Sequence, residues 1–227
     1  MLKNNEFFIK NLKNVVFLGF SQVFEDLIKI NNKLGIKTNI ITSSDQSKEI
    51  SSEHVVFDQF DGGFEDYIKN NFKIESTIFI SVSCRVIFNS DVIKFLGHNL
   101  VNFHGSRLPY DSGGGSFSWQ ILREDRINNQ LVHLIDEGID TGPIIDSKLS
   151  IFPPNCKVPI DFKNYHLKKF LEFYSNFINK IKKGHEFELK KQVDYLGRYN
   201  PRLSTIENGY INWNYNPYDL INFINAF

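Results

Sequence analysis

Asn102 and His104 stand two residues apart at the end of the apolar run Leu100–His104, and Asp140 follows three dozen residues later in the turn Asp136-Glu137-Gly138-Ile139-Asp140-Thr141-Gly142. On an extended strand, positions i and i+2 share a face, so the Asn carboxamide and the His ring are expected to point the same way. A carboxamide N–H can donate to an oxygen that is gaining charge, and an imidazole exchanges protons close to neutrality. The Asp-bearing turn lies between the apolar runs Gln130–Ile135 and Pro143–Ile145, a loop between strands, where sites are usually built. Between the two features runs Ser112-Gly113-Gly114-Gly115-Ser116, which leads into an apolar-periodic helix start at Phe117–Arg123. Backbone amides at such a place suit an anion such as a diphosphate.

The whole pattern, Asn-x-His, then Ser106, Leu108-Pro109 and the glycine-rich segment, then Asp-Glu-Gly-Ile-Asp-Thr-Gly, resembles the formyltransferases that use N10-formyltetrahydrofolate. Asn-x-His alone would carry no such weight. The resemblance implies that Asn102, His104 and Asp140 are the catalytic set, with Asp140 orienting the imidazole and His104 either accepting the amine proton or donating to the oxyanion. It implies that the polar break after Thr77–Ser81, at Arg85, Val86 and Ile87, lines the folate together with Leu134 and Asp136. It places the acceptor against Ser106, Arg107, Tyr110, Gly113, Gly114 and Arg202. N10-formyltetrahydrofolate would be the co-substrate. No metal is expected, because the formyl carbon itself is the electrophile.

The elements that must position these residues read as α/β. Asn14–Gly19 is a β-branched and aromatic run, followed by Val23, Leu27, Ile30 and Leu34 at helical spacing and by a second strand-like run at Lys37–Thr42. That is a βαβ unit opening a parallel sheet. Gly19 is a lone glycine at the strand-to-helix turn, so a GxGxxG dinucleotide site is absent. Val55–Phe57, Thr77–Ser81 and Leu100–His104 read as further strands, with helices at Phe64–Phe72 and Asn89–Leu96 between them. Gln130–Ile135 and Gly142–Leu149 read as an antiparallel pair joined by the Asp140 turn. A long amphipathic helix is predicted over Ile160–Lys183, stopped at Gly184. The expected fold is a Rossmann-like, mainly parallel sheet with helices on both faces, the formyltransferase fold, followed by a small C-terminal β-hairpin about Asn208-Gly209. The expected division is a catalytic domain over 1–185 and a C-terminal substrate and dimer segment over 186–227.

Composition bounds the partners. The chain has 227 residues, with Lys plus Arg and Asp plus Glu at 26 each, so no net field recruits nucleic acid or an acidic membrane surface. Cys84 and Cys156 have no CxxC partner and read as reduced structural thiols. No signal peptide is evident and no run approaches the ~18–20 apolar residues that span a bilayer, so a cytoplasmic protein is expected. Apart from His104, the histidines His54, His98, His133, His166 and His185 read as structural.

Within the family, a methionyl-tRNA formyltransferase would need a further basic domain, and a formyltetrahydrofolate hydrolase a domain ahead of the first βαβ unit. The phrase Pro201-Arg202-Leu203-x-Thr205 with Asn208-Gly209-Tyr210-Ile211-x-Trp213 instead resembles the branch acting on nucleotide-linked amino sugars. The resemblance points to a dTDP-linked 4-amino-4,6-dideoxyglucose destined for a bacterial surface polysaccharide such as O-antigen. Phosphoribosylglycinamide formyltransferase is the alternative acceptor chemistry. A non-catalytic nucleotide-sugar binding protein and a catalytically dead scaffold subunit are the alternatives of another class. The aromatic Tyr210–Trp213 stretch suggests a homodimer surface.

Overall fold

The computed structural model describes residues 5–114, 116–193 and 197–227. Its main elements in chain order are β1 (Asn14–Gly19), α1 (Phe24–Lys33), β2 (Lys37–Thr42), β3 (Val55–Val56), α2 (Gly62–Asn71), β4 (Thr77–Val82), α3 (Ser90–Leu96) and β5 (Leu100–His104). After them come α4 (Ser116–Leu122), β6 (Ile127–Leu134), β7 (Ile144–Ile151), α5 (Pro159–Lys182) and α6 (Pro217–Ala226). The seven strands form one sheet in the order β3-β2-β1-β4-β5-β6-β7. The first five are parallel and β6 is antiparallel to β5. β7 returns along β6: Leu134 N donates to Pro143 O at one end and Phe152 N to Arg126 O at the other. The sheet is therefore mainly parallel, as the βαβ pattern predicts.

The central strands β1 and β4 are buried on both faces, which is why they read as continuous apolar runs rather than as alternations. Val16, Leu18, Phe79 and Leu100 pack with Phe64 and Ile68 of α2 and with Val92 and Leu96 of α3. Their neighbours in sequence turn the other way. Phe17 meets Phe24 of α1 and Tyr174 of α5, and Phe103 meets Tyr174 and Phe177. Tyr174 is wholly buried, and its hydroxyl donates to Asn31 Oδ1 at 2.8 Å while Asn31 Nδ2 donates to Thr38 Oγ1 at 2.9 Å. A polar chain satisfied in this way costs the core little.

By compactness the described chain divides into two interleaved units. One comprises 1–104, 131–146 and 171–192; the other comprises 105–130, 147–170 and 193–227. The first holds β1 to β5 and their helices. The second has its own small core of Ile121, Phe152, Cys156, Phe162 and Ala226. The segment 186–227 is thus shared between the two units.

The expected C-terminal hairpin is not formed. Thr205–Asn208 is one helical turn, and Gly209 N donates to Thr205 O at 3.0 Å. The cause is local. Asn208 Oδ1 accepts from Ser204 N at 2.9 Å and Asn208 N donates to Ser204 O, and these bonds close a turn in place of a strand ladder. The chain then enters α6, begun by Asn216, whose side chain accepts from Tyr218 N and Asp219 N, with Pro217 in the first helical turn. The turn-rich stretch ahead of that turn supplies a strand after all: Arg198–Asn200 pairs in parallel with Asp111–Gly113. Tyr195 and Leu196, which belong to the same stretch, lie outside the described residues. Among the described residues no helix is long and apolar enough to cross a membrane. Cys84 and Cys156 are both free, and burial pushes the Cys84 thiol up to about 11.

Candidate active site

The register of β5 on β6 sets the site. Asn102 lies directly opposite His133, and directly opposed residues of an antiparallel pair share a face. His104, two residues on from Asn102, shares it too. Asn102 Nδ2 stands 3.1 Å from His133 Nε2 and donates to Asp140 Oδ1 at 3.4 Å. His104 Nδ1 and His133 Nε2 each stand 3.6 Å from Asp140 Oδ1. The three residues that the sequence singles out are therefore gathered, with a fourth that it does not. His133 reads as structural because a lone ring in an apolar run usually is. Only the register, which the sequence does not state, puts it opposite Asn102.

Asp140 is carried on a loop that the chain holds by several independent bonds. Asp136 Oδ1 accepts from Gly138 N at 3.2 Å and from Thr141 Oγ1 at 2.6 Å. Gln192 Nε2 donates to the carbonyls of Asp140 at 2.8 Å and Gly142 at 2.7 Å. Gly142 cannot be larger, since a Cβ there would run into Leu134 O. Asp140 itself has φ 58, a left-handed backbone that Asp tolerates better than most residues. Sparsely populated conformations of this kind persist where the surroundings over-determine them.

Charge is arranged around these groups. Burial pushes the His104 imidazole below its usual pKa against the opposing pull of Asp140, so the ring is neutral near pH 7. Burial acts to raise Asp140, but the His133 ring, His104 and the Asn102 amide outweigh it and hold the carboxyl below the usual range. The His104 Nε2 atom is buried and has no hydrogen-bond partner among the described residues. A buried polar atom left open in this way is a place for a ligand atom. The arrangement offers an amide donor, a neutral imidazole and a carboxylate able to stabilise that imidazole once it is charged.

Of the residues expected to line the folate, Arg85 is exposed and ion-paired with Asp45. Ile87 is 78% exposed, as is Ile139 at 77%. Arg85, Val86 and Ile87 line an open cleft of ≈ 510 Å³ with Ser43, Asp58 and Asn89. Leu134 is buried; its carbonyl accepts from His133 Nδ1 at 2.7 Å and its amide donates to Pro143 O. Asp136 is committed to the turn that carries Asp140.

The residues expected to bind the acceptor belong to the second unit. Arg107 bridges Asp111 and Asp125 at 3.1 Å each, and Arg198 Nε meets Asp111 at 2.5 Å. Burial acts to raise Asp111, and the two arginines outweigh it and lower its pKa. Arg107 is thus matched by carboxylates instead of being held free for a phosphate. Gly113, at φ 92, passes so close to Asn200 O that a Cβ would collide with it. Gly114 N donates to Asn200 O at 2.9 Å. That corrects one expectation: the Gly114 amide is engaged in backbone pairing and is not free to meet a diphosphate. Gly115 lies outside the described residues. Arg202 is exposed and packs its stem beside Gly114. Tyr110 is 55% exposed, and Ser106 gives its carbonyl to Asn129 Nδ2. Trp119, which no motif in the sequence marks, donates to Pro201 O at 2.8 Å and lies under the Arg123 guanidinium at 4.6 Å.

No family model matches the chain. It is 27% identical over 161 residues to a methionyl-tRNA formyltransferase of Thermodesulfovibrio yellowstonii, covering 70% of this chain and 51% of that protein. It is 24% identical over 151 residues to the cytosolic 10-formyltetrahydrofolate dehydrogenase of Xenopus laevis, covering 66% of this chain and 16% of that one. The chain thus spans about half the length of the first relative and less of the second. Among solved structures it is similar to WlaRD, a sugar 3N-formyltransferase determined with dTDP and 5-N-formyl-THF, with TM-score 0.71, 22% identity and 96% and 80% of the two chains covered. It is similar to the N-formyltransferase of Helicobacter canadensis in complex with folinic acid and dTDP-3-aminofucose, with TM-score 0.74, 22% identity and 95% and 80% covered. A 4-N formyltransferase from Francisella tularensis matches with TM-score 0.74, 18% identity and 96% and 88% covered. The chain has the fold of the formyltransferases.

Proposed function

We propose that this protein is a sugar N-formyltransferase that moves a formyl group from N10-formyltetrahydrofolate to the amine of a nucleotide-linked amino sugar, in the first instance dTDP-4-amino-4,6-dideoxyglucose. The observation that carries the reading is the gathering of Asn102, His104 and Asp140 where β5 meets β6, on a fold otherwise seen in folate-dependent sugar formyltransferases. Fold likeness alone is analogy. The three side chains make it chemistry.

N10-formyltetrahydrofolate supplies the formyl carbon and, in its N10, the leaving group. The open Nε2 of His104 suits a polar atom of that ligand or of the acceptor, and Arg85, Val86, Ile87, Leu134 and Asp136 are the residues proposed to hold the folate. As the sugar nitrogen bonds to the formyl carbon, negative charge gathers on the formyl oxygen, and the Asn102 amide, exchanging one of its bonds to His133 and Asp140, is proposed to donate to it. The amine must lose a proton, and neutral His104 takes it. Asp140, kept ionised, stabilises the resulting imidazolium, and the proton passes on to N10 as the old C–N bond breaks. The acceptor is proposed to rest against Ser106, Tyr110, Gly113 and Arg202, of which Arg202 is the cation with no carboxylate on it among the ion pairs described; Arg107, held by Asp111 and Asp125, and Gly114, whose amide is taken by Asn200, are left to shape the wall behind them. A cytoplasmic homodimer serving surface-polysaccharide synthesis completes the proposal.

The test is an assay of formyl transfer against nucleotide-linked 3-amino and 4-amino sugars, with glycinamide ribonucleotide alongside. Formylation of an amino sugar supports the reading. Formylation of glycinamide ribonucleotide alone, with no binding of dTDP, UDP or GDP at millimolar concentration by calorimetry, moves the protein to the purine-pathway chemistry.

A further inference from the structure

We propose that His104, His133 and Asp140 also form an inhibitory site for a divalent transition-metal ion such as Zn²⁺. The inference rests on the geometry of the free protein and not on which acceptor is formylated. One ligand atom from each of the three residues lies within 4.8 Å of the others, and each His–Asp edge is 3.6 Å. Ligands bound to a tetrahedral zinc at ~2.0–2.2 Å stand roughly 3.4 Å from one another, so the His–Asp edges need to close by only a few tenths of an ångström and the His–His edge, within 4.8 Å, by a side-chain rotation of up to about 1.4 Å.

Two further features prepare the site. The Nδ1 of His133 is 2.7 Å from the Leu134 carbonyl. A carbonyl cannot donate, so Nδ1 carries a proton, and Nε2 is the nitrogen turned to Asp140 and left to bind a metal. An outer carbonyl that fixes the tautomer in this way is the usual partner of a ligating histidine. Gln192, bonded to the Asp140 carbonyl, steadies the carboxylate from behind. In addition, His133 Nε2 and Asp140 Oδ1 stand 3.6 Å apart, a pair that an electropositive group can bridge. In the free protein the Asn102 amide does so, at 3.1 and 3.4 Å. A cation offers the same pair a stronger bridge, and it can enter because the side chains of His104 and Asp140 remain 18% and 19% exposed. Water completes the coordination. With its imidazole lone pair and its carboxylate bound to metal, the site can take up no proton, so formyl transfer stops.

The experiment uses the full chain. Calorimetry with Zn²⁺ is expected to give one site per chain, and Co²⁺ the intense visible absorption of a low-coordinate nitrogen and oxygen site. His133→Ala and Asp140→Asn should each weaken binding at least ~10-fold, the lower end of what even outer partners contribute. Asn102→Asp, which adds an oxygen as a fourth protein ligand, should tighten it. Zn²⁺ should abolish transfer by the wild type and a chelator should restore it. Asp140→Asn preserves shape, so the result stands even if His133→Ala does not fold. Absence of binding, or equal affinity and an unchanged Co²⁺ spectrum in the wild type, His133→Ala and Asp140→Asn, overturns the proposal and leaves any ion on other histidines. Metal bound at this site in a protein that formylates no acceptor would overturn the functional reading and leave the metal site intact; transfer without metal binding would do the reverse.

Discussion

At the scale of residues, groups that touch one another carry separate work. His104→Ala and Asn102→Ala should each lower kcat by at least ~10², the usual scale for a lost proton-transfer or oxyanion group, with unchanged circular dichroism. Asp140→Asn should cost as much while keeping the shape. Turnover like that of the wild type in all three would remove the assignment. Strand parity put Asn102 and His104 on one face, while their role and the addition of Asp140 came from the resemblance of the whole motif to the formyltransferases. His133 was not legible, because the pairing of β5 with β6 is set by long-range packing. A separate prediction concerns Asp111, whose folded pKa is depressed. A depressed carboxyl adds stability that is fully present above its unfolded pKa of ~3.9 and is lost as the pH falls through the folded value. The stability difference between wild type and Asp111→Asn, measured by urea unfolding, should therefore shrink as the solution is taken below about pH 4. A difference that grows on acidification would contradict it.

At the scale of elements, the β6–β7 connection is the part that must not move. Gly142→Ala forces Leu134 and the loop apart, and overpacking of that kind costs ~1–3 kcal/mol. Activity should fall further than stability, because Asp140 and the Leu134 carbonyl behind His133 shift together. A thermal melt beside a kinetic assay separates the two effects. Helix α6 tests a different reading. Asn216→Ala removes its cap and should cost ~1 kcal/mol in urea unfolding. That helix was legible in principle, as an Asn-Pro start with Leu220 and Phe223 at helical spacing. Asn208-Gly209 masked it, since that dipeptide signals a hairpin only when two strands flank it. Here Ser204 and Asn208 satisfy each other first. The loop at Gly114 misled in a similar way: a glycine-rich run before a helix suggests a phosphate cradle, yet its amide pairs with Asn200.

At the scale of the whole molecule, the sheet was legible because strands buried on both faces must be continuous apolar runs, and their alternation with helical periodicity admits few topologies. The interleaving of the two compact units was not, because it depends on where β6, β7 and α5 pass from one to the other. Tyr210, Trp213 and Tyr218 are 77%, 78% and 78% exposed in a stretch from Tyr210 to Phe227 whose one charged residue is Asp219. These exposed rings are the ground for the proposed dimer. Sedimentation at micromolar concentration should give a dimer, and Trp213→Glu should shift it toward monomer; a wild-type monomer would count against that surface. The central claim is tested most directly by formyl transfer itself. Wild-type protein with N10-formyltetrahydrofolate and dTDP-4-amino-4,6-dideoxyglucose should yield the formamido sugar and tetrahydrofolate in equal amounts, and His104→Ala should yield neither above background. Production of tetrahydrofolate and free formate with no formamido product from any nucleotide-linked amino sugar would contradict it.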